Sequence, residues 1–367
     1  MASTPLPTGS HDTVQRAAEN TGRTCHVHIG MMKTGSTSIQ AALHGYDDGS
    51  LRYLPHPLRN HAGLLRNAVQ KQPEPLMRVI GQGLDDDELD KIRRRDRRNF
   101  RRMISEGDRN LIISSEELTS RFSRNNVNHL VKLLRAQFDQ IIVIAYVREP
   151  VRFMTSMFQQ QTKLRKVELD YEALYPDYSR LFQKWVDAVG TENMLLTQFA
   201  RDLFIDRDLV TDFAHKVGAD PSKINRDHAD LNQTLSAEAV AVLFAYRQLR
   251  GGPRDHPVMA KHNGRVIKLL QQFGSTSYSL DTDRCLAEIG RRSADIEWIQ
   301  ELMGSRFEYS SAPRDTRVFS DSQDVLDFAE ASADSFIAHV TKHVPNAPRR
   351  ITSIAEAFDV TYGLTFD

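Results

Sequence analysis

The segment Gln140-Ile-Ile-Val-Ile-Ala-Tyr-Val147 constrains the fold more than any other part of the chain. Seven consecutive apolar residues, rich in β-branched side chains, are too few to cross a bilayer and poorly suited to a helix. Such a run predicts a strand buried on both faces, which is the environment of a parallel sheet covered by helices. Asn110-Leu-Ile-Ile-Ser114 reads the same way. Cys25-His-Val-His-Ile29 is a weaker, alternating strand that ends at Gly30, and Met194-Leu-Leu-Thr-Gln198 is a further one. Helical patterns separate them: Ser36 to His44, Asp85 to Ile104, and a stretch from Pro150, which suits a first helical position, through Gln161. Strand–helix alternation predicts an α/β protein with a parallel sheet flanked by helices.

After about Asn232 the texture becomes helical. Ser236 is placed to cap a helix running through Ala239, Leu243, Phe244 and Leu249 and ending at Gly251-Gly252; Ile296–Phe307 and Val325–Val340 also read as helices. The expected organisation is a mobile tail over 1–23 and one domain over 24–367, with an α/β core (24–230) and a helical extension (231–367). Residues 1–23 lack the apolar core of a secretory leader. Lysines and arginines number 48, as do the acids, so the chain has none of the basic excess of a nucleic-acid binder. Two cysteines, Cys25 and Cys285, make no disulfide framework, and no apolar run approaches the length of a membrane span. A cytoplasmic protein with no membrane span and no nucleic-acid partner is expected.

Two segments carry chemistry. The strand ending at Ile29 runs into Gly30-Met-Met-Lys33-Thr34-Gly35-Ser36-Thr37-Ser38 and then a helix. A helix start offers free N–H groups and a positive dipole to an anion, Gly35 allows close approach, Lys33 adds charge, and Thr34, Ser36, Thr37 and Ser38 add hydroxyls. The spacing is not that of a Walker loop, because Lys33 precedes Gly35 by two residues. The second segment follows the Gln140–Val147 strand: Arg148 stands at its end and Ser156 eight residues later on the next helix. A guanidinium fork and a hydroxyl so placed suit a phosphate at the C-terminal edge of a sheet, whereas an acid for magnesium is missing there.

Together, His28 to Gln40 and Tyr146 to Ser156, in this order and separated by roughly a hundred residues, resemble the sulfotransferases that use 3′-phosphoadenosine 5′-phosphosulfate (PAPS). The resemblance implies a P-loop-like fold and in-line transfer of a sulfuryl group to an acceptor, with no metal and no covalent intermediate. It implies that the loop from Lys33 to Ser38 holds the 5′-phosphosulfate and that Arg148 and Ser156 hold the 3′-phosphate. Lys33 would neutralise charge on the departing phosphate, and the product would be adenosine 3′,5′-bisphosphate. Carboxylate-using members place a Glu after the strand that corresponds to Asn110–Ser114, so Glu116 resembles the base; Glu117, His61 and His129 remain alternatives. The family's tendency points to a hydroxyl of a small-molecule or glycan acceptor. The rival readings are a nucleotide kinase or NTPase with an atypical loop, and a non-catalytic binder of adenosine bisphosphate.

Other features read as structural. The basic run Lys91–Arg102 ends a helix that begins with acids, so it suits a solvated face. His339 and His343 lack a third ligand partner in sequence and read as a surface pair; Cys25, Trp185 and Trp298 read as packing residues.

Overall fold

The structure, a computed structural model, describes residues 22–71, 84–226, 234–254, 256–309, 315–348 and 350–364; most of the expected tail lies outside them. The contacts divide the chain into two units that alternate along the sequence. The first takes residues 1–149, 177–232 and 293–308, and the second takes 150–176, 233–292 and 309–367. The cut expected at 230/231 is linear and does not coincide with this division.

The first unit is built on β1 (Thr24–His28), α1 (Ser36–Leu43), β2 (Leu51–Tyr53), α2 (Ala62–Val69), α3 (Asp86–Ser105), β3 (Asn110–Ser114), α4 (Glu117–Ser120), α5 (Arg124–Arg135), β4 (Gln140–Val147), α6 (Tyr178–Val189), β5 (Met194–Gln198), α7 (Leu209–Val217) and α8 (Ser293–Met303). Its five strands form one parallel sheet in the order β2-β3-β1-β4-β5. Val27 of β1 pairs with Ile113 on one side and Val143 on the other. After β1 the chain turns toward β2, and after β4 it turns toward β5. The crevice outside the C-terminal ends of β1 and β4 is therefore a topological switch point, where open α/β sheets bind ligands.

Alternation along β4 explains both covered faces. Ile142, Ile144 and Tyr146 pack with Ile39 and Leu43 of α1 and with Phe213 and Val217 of α7. The intervening Ile141, Val143 and Ala145 face the other side, against which α5 and α6 pack. α3 begins with a capping box of Asp85 and Glu88, and it buries only Phe100, Met103 and Ile104. Lys91, Arg94, Arg98, Arg101 and Arg102 lie on its exposed side, so the basic run is a solvated face.

β1, the weakest strand in the sequence, is the central one; it looks weak because two of its buried side chains are polar. His26 and His28 are 4% and 0% exposed. His28 lies edge-on to Phe213, and its Nδ1 is 2.8 Å from Ser114 Oγ. Burial pushes the His26 pKa down to about 4 and that of His28 to about 3, so both are neutral in the folded chain at ordinary pH.

The second unit is helical except for a two-stranded parallel ribbon, Tyr278–Leu280 with Arg317–Phe319. Its helices surround Ala237–Arg250, whose residues Ala239 to Phe244 are all buried. Ser236 caps this helix by accepting from the Ala239 N–H at 3.0 Å, and Gly251 ends it, as the sequence predicts. The helix expected over 325–340 is two, Ser322–Ala331 and Ala333–His343, interrupted at Ser332, whose hydroxyl bonds the Phe328 carbonyl. The helix expected over 296–307 is Ser293–Met303, and it ends at Gly304, which has φ +68°.

Two outcomes test this packing. Phe244→Ala removes a fully buried ring and should cost about 3–5 kcal/mol in urea unfolding. Leu249→Ala on the same helix, where the side chain is 71% exposed, should cost less than about 0.5 kcal/mol. The buried histidines set an acid lability. Their folded pKa values lie below the unfolded value, so their stabilisation is present above pH ~6.5 and is lost as pH falls toward the folded values. Between pH 7 and pH 5, His26 and His28 should each cost about 2 kcal/mol of stability. A pH-independent unfolding free energy over that range would contradict their neutral burial.

Candidate functional site

The loop after β1 is shaped by its own backbone. The Ile29 N–H continues the ladder to the Ile144 carbonyl at 3.0 Å. The chain then turns at Gly30, which has φ +62°. A β-carbon there would come within 2.9 Å of both Glu116 Cβ and Ser36 Oγ. Glycine at this position is what lets Glu116, from the end of β3, lie against the loop. The Thr34 hydroxyl donates to the Met31 carbonyl at 2.7 Å and accepts from the Met31 N–H, so this side chain closes the loop on itself. Lys33 adopts φ +67°, a left-handed conformation that costs a non-glycine residue about 1–2 kcal/mol. Arg148 Nη1 donates to the Lys33 carbonyl at 2.6 Å and so ties the loop to the end of β4.

α1 begins at Ser36 after Gly35, and no side chain caps it. Its first N–H groups are therefore available to an anion, with the helix dipole behind them. The Ser36 hydroxyl is buried and has no partner. A buried hydroxyl without a hydrogen bond is costly and calls for a ligand atom or a water. Thr37 is exposed and Ser38 half-exposed on the same first turn. Gly35 has φ +73°, and a β-carbon on it would clash with the Leu209 side chain.

The charges are mutually dependent. Burial lowers the pKa of Lys33, the neighbouring Arg148 lowers it further, and Glu116 opposes both. Burial raises the pKa of Glu116, Lys33 pulls it down and Glu117 raises it. Lys33, Arg148 and Glu116 thus converge at the switch point of the first unit. Arg148 also lies over the Phe199 ring at 5.7 Å, and its carbonyl accepts from the Tyr178 hydroxyl at 2.6 Å.

The alternatives to Glu116 are engaged in other contacts. Glu117 is 3.3 Å from Nε of the buried Arg66. His61 Nδ1 accepts from the Ser114 N–H at 3.1 Å, and burial pushes its pKa down to about 3. His129 Nδ1 bonds the Val69 carbonyl at 2.9 Å. Ser156 belongs to the second unit, half-exposed on the helix Pro150–Thr162. Sequence reasoning missed Phe199 and Tyr178, which no motif marks, and the buried set His28, Ser114 and Gln40, in which Gln40 Nε2 donates to Ser114 Oγ at 3.1 Å. Trp185 is a packing residue, as expected, with its indole N–H on the Leu118 carbonyl. The His339 and His343 rings lie 4.3 Å apart, tilted by 36°, and His339 is partly buried against the Leu269 carbonyl.

No family model matches the chain, and no curated protein does. Among solved structures, a sulfotransferase from Alicyclobacillus acidocaldarius is similar over 61% of this chain and 92% of that one, at 14% identity and a TM-score of 0.35. Among the described residues, no helix is long and apolar enough to cross a membrane.

A paired substitution checks the close approach at Gly30. Gly30→Ala combines left-handed strain with overpacking against Glu116 and should lose about 2–4 kcal/mol of stability. Gly45→Ala, at φ +82° with nothing within 4 Å, should lose only the strain, about 1 kcal/mol. Equal losses in thermal unfolding would contradict the contact.

Proposed function

We propose that the chain is a sulfotransferase that moves a sulfuryl group from PAPS to a hydroxyl of a carbohydrate or carbohydrate-containing acceptor. The observation that carries this reading is the convergence of Lys33, Arg148 and Glu116 on an uncapped helix start with an orphan buried hydroxyl, Ser36. The donor supplies an activated sulfur–oxygen bond that breaks as the acceptor oxygen bonds to sulfur. The N-terminus of α1 and the Ser36 hydroxyl suit its 5′-phosphosulfate, and the Arg148 guanidinium suits its 3′-phosphate. Lys33, still protonated, offsets negative charge on the leaving phosphate. Glu116, ionised, accepts the acceptor's proton at its carboxylate. The Lys33–Glu116 pair keeps both groups in these charge states against the pull of burial. Positioning and fixed charge supply the rate enhancement.

Calorimetry should find adenosine 3′,5′-bisphosphate binding without metal, lost in Arg148→Ala, and preferred over ATP with magnesium. A preference for ATP with magnesium would sink the reading in favour of a kinase. With labelled PAPS and an acceptor, Lys33→Ala should lower turnover several-hundred-fold, the loss of about 3–4 kcal/mol of transition-state stabilisation. The pH profile of kcat/KM should be bell-shaped. Its acid limb rises as Glu116 loses its proton, at a pKa raised by burial, and its alkaline limb falls as Lys33 loses its own, at a pKa lowered by burial. Glu116→Gln should remove the acid limb and cost 10²–10⁴-fold, roughly the worth of a general base; an unchanged acid limb would assign the base elsewhere.

A further inference from the structure

A second feature of the first unit lies one helical turn past Glu116. The Thr119 hydroxyl donates to the Glu116 carbonyl at 3.0 Å. Thr119 also opens a groove of about 440 Å³ whose wall is formed by residues 119–124, 179–181, 183 and 184. That volume lies in the range of small-ligand sites. Four cations line it, Arg121, Arg124, Arg180 and Lys184, together with three serines and Gln183, and no carboxylate is among its lining residues. The helices α5 and α6 both start at the groove; α5 lends the positive end of its dipole, whereas the first N–H groups of α6 are taken by Asp295, which accepts from Tyr178 and Ser179 at 2.9 and 2.8 Å, and by Asp177 at the cap. Both helices lead into strands of the parallel sheet, so their starts lie at the same sheet edge as the loop after β1.

The arginines have acids behind them: Arg121 is 3.9 Å from Glu117, Arg180 is 3.6 Å from Asp177, and Arg124 pairs with Asp187. These guanidinium groups are half or more exposed, so the pairs are weak and free to rearrange around an incoming anion. Lys184 differs. It is partly buried, and its ammonium donates to the Thr119 carbonyl, with no acid paired to it.

We propose that this groove binds an anionic group, a carboxylate or a sulfate, carried by the acceptor, so that the acceptor is an acidic sugar chain whose reacting hydroxyl reaches Glu116. The inference rests on the sulfotransferase reading for the reaction, and on the groove alone for the charge. Burial and the adjacent Arg180 depress the Lys184 pKa to about 8, a cost that a bound anion relieves. The positive wall, the start of α5 and the hydroxyls suit oxyanion groups on a polyhydroxyl chain.

The test titrates the full chain with three tetrasaccharides: unsulfated chondroitin, 4-sulfated chondroitin, and the unsulfated form with its carboxyls reduced to alcohols. The wild type should bind the 4-sulfated form at least tenfold more tightly than the neutral one; an equal gain for the unsulfated form, which carries carboxylates alone, assigns the bound anion as a carboxylate, and no gain for it assigns a sulfate. The double variant Arg180→Gln/Lys184→Gln should lose this preference while binding adenosine 3′,5′-bisphosphate as the wild type does. Arg180→Gln alone, at an exposed position, should lose part of the preference without any cost to folding. No preference for either charged form, or a preference that survives the double variant, overturns the proposal. Failure of the bisphosphate to bind the wild type would instead overturn the donor reading, since the tetrasaccharide comparison does not depend on it.

Discussion

The hydrogen bond from Arg148 to the Lys33 carbonyl is the contact on which the site depends. It joins the ends of β1 and β4, the two strands that flank the switch point, and it holds a left-handed lysine that would otherwise relax. With that turn in place, Lys33 faces the region where Arg148 and Glu116 meet, and α1 starts with its N-terminus open. Gly30 completes the arrangement by admitting Glu116 to within van der Waals contact of the loop. One backbone conformation thus sets three charges and one helix dipole around a single crevice.

Burial gives those charges their working states. Half-buried side by side, Lys33 and Glu116 are each pulled toward neutrality by burial and back toward the charged form by the other. Deleting either leaves the other as an uncompensated charge in a partly buried site, so Lys33→Ala should raise the Glu116 pKa further and Glu116→Gln should lower the Lys33 pKa further. Glu117, one residue on, is held by Arg66 and reaches this pair only through its charge, which raises the Glu116 pKa. The difference between two adjacent glutamates is therefore one of partners, not of residue type.

Much of this is legible in the sequence where a local pattern carries it. Gln140–Val147 announces a buried strand by its β-branched run, and the glycines of the loop from Gly30 to Ser38 announce the turn that leads from β1 into α1. The pattern fails where tertiary burial overrides it. β1 looks weak because His26 and His28 read as polar, yet the core accepts them as neutral rings. β2 has only three residues, below what periodicity resolves. Thr34 counts as a donor in the motif but is spent on Met31, and Ser36, of equal weight in the motif, is the hydroxyl left without a partner. The cationic groove is invisible in sequence because Thr119 and Lys184 meet across 65 residues.

The most direct test of the account is a crystal structure with adenosine 3′,5′-bisphosphate bound. The account predicts the 5′-phosphate at the N-terminus of α1, within hydrogen-bond reach of the Ser36 hydroxyl, and the 3′-phosphate on the Arg148 guanidinium. A nucleotide found elsewhere in the chain, or one seated in this crevice without contact to Ser36 or Arg148, would contradict it.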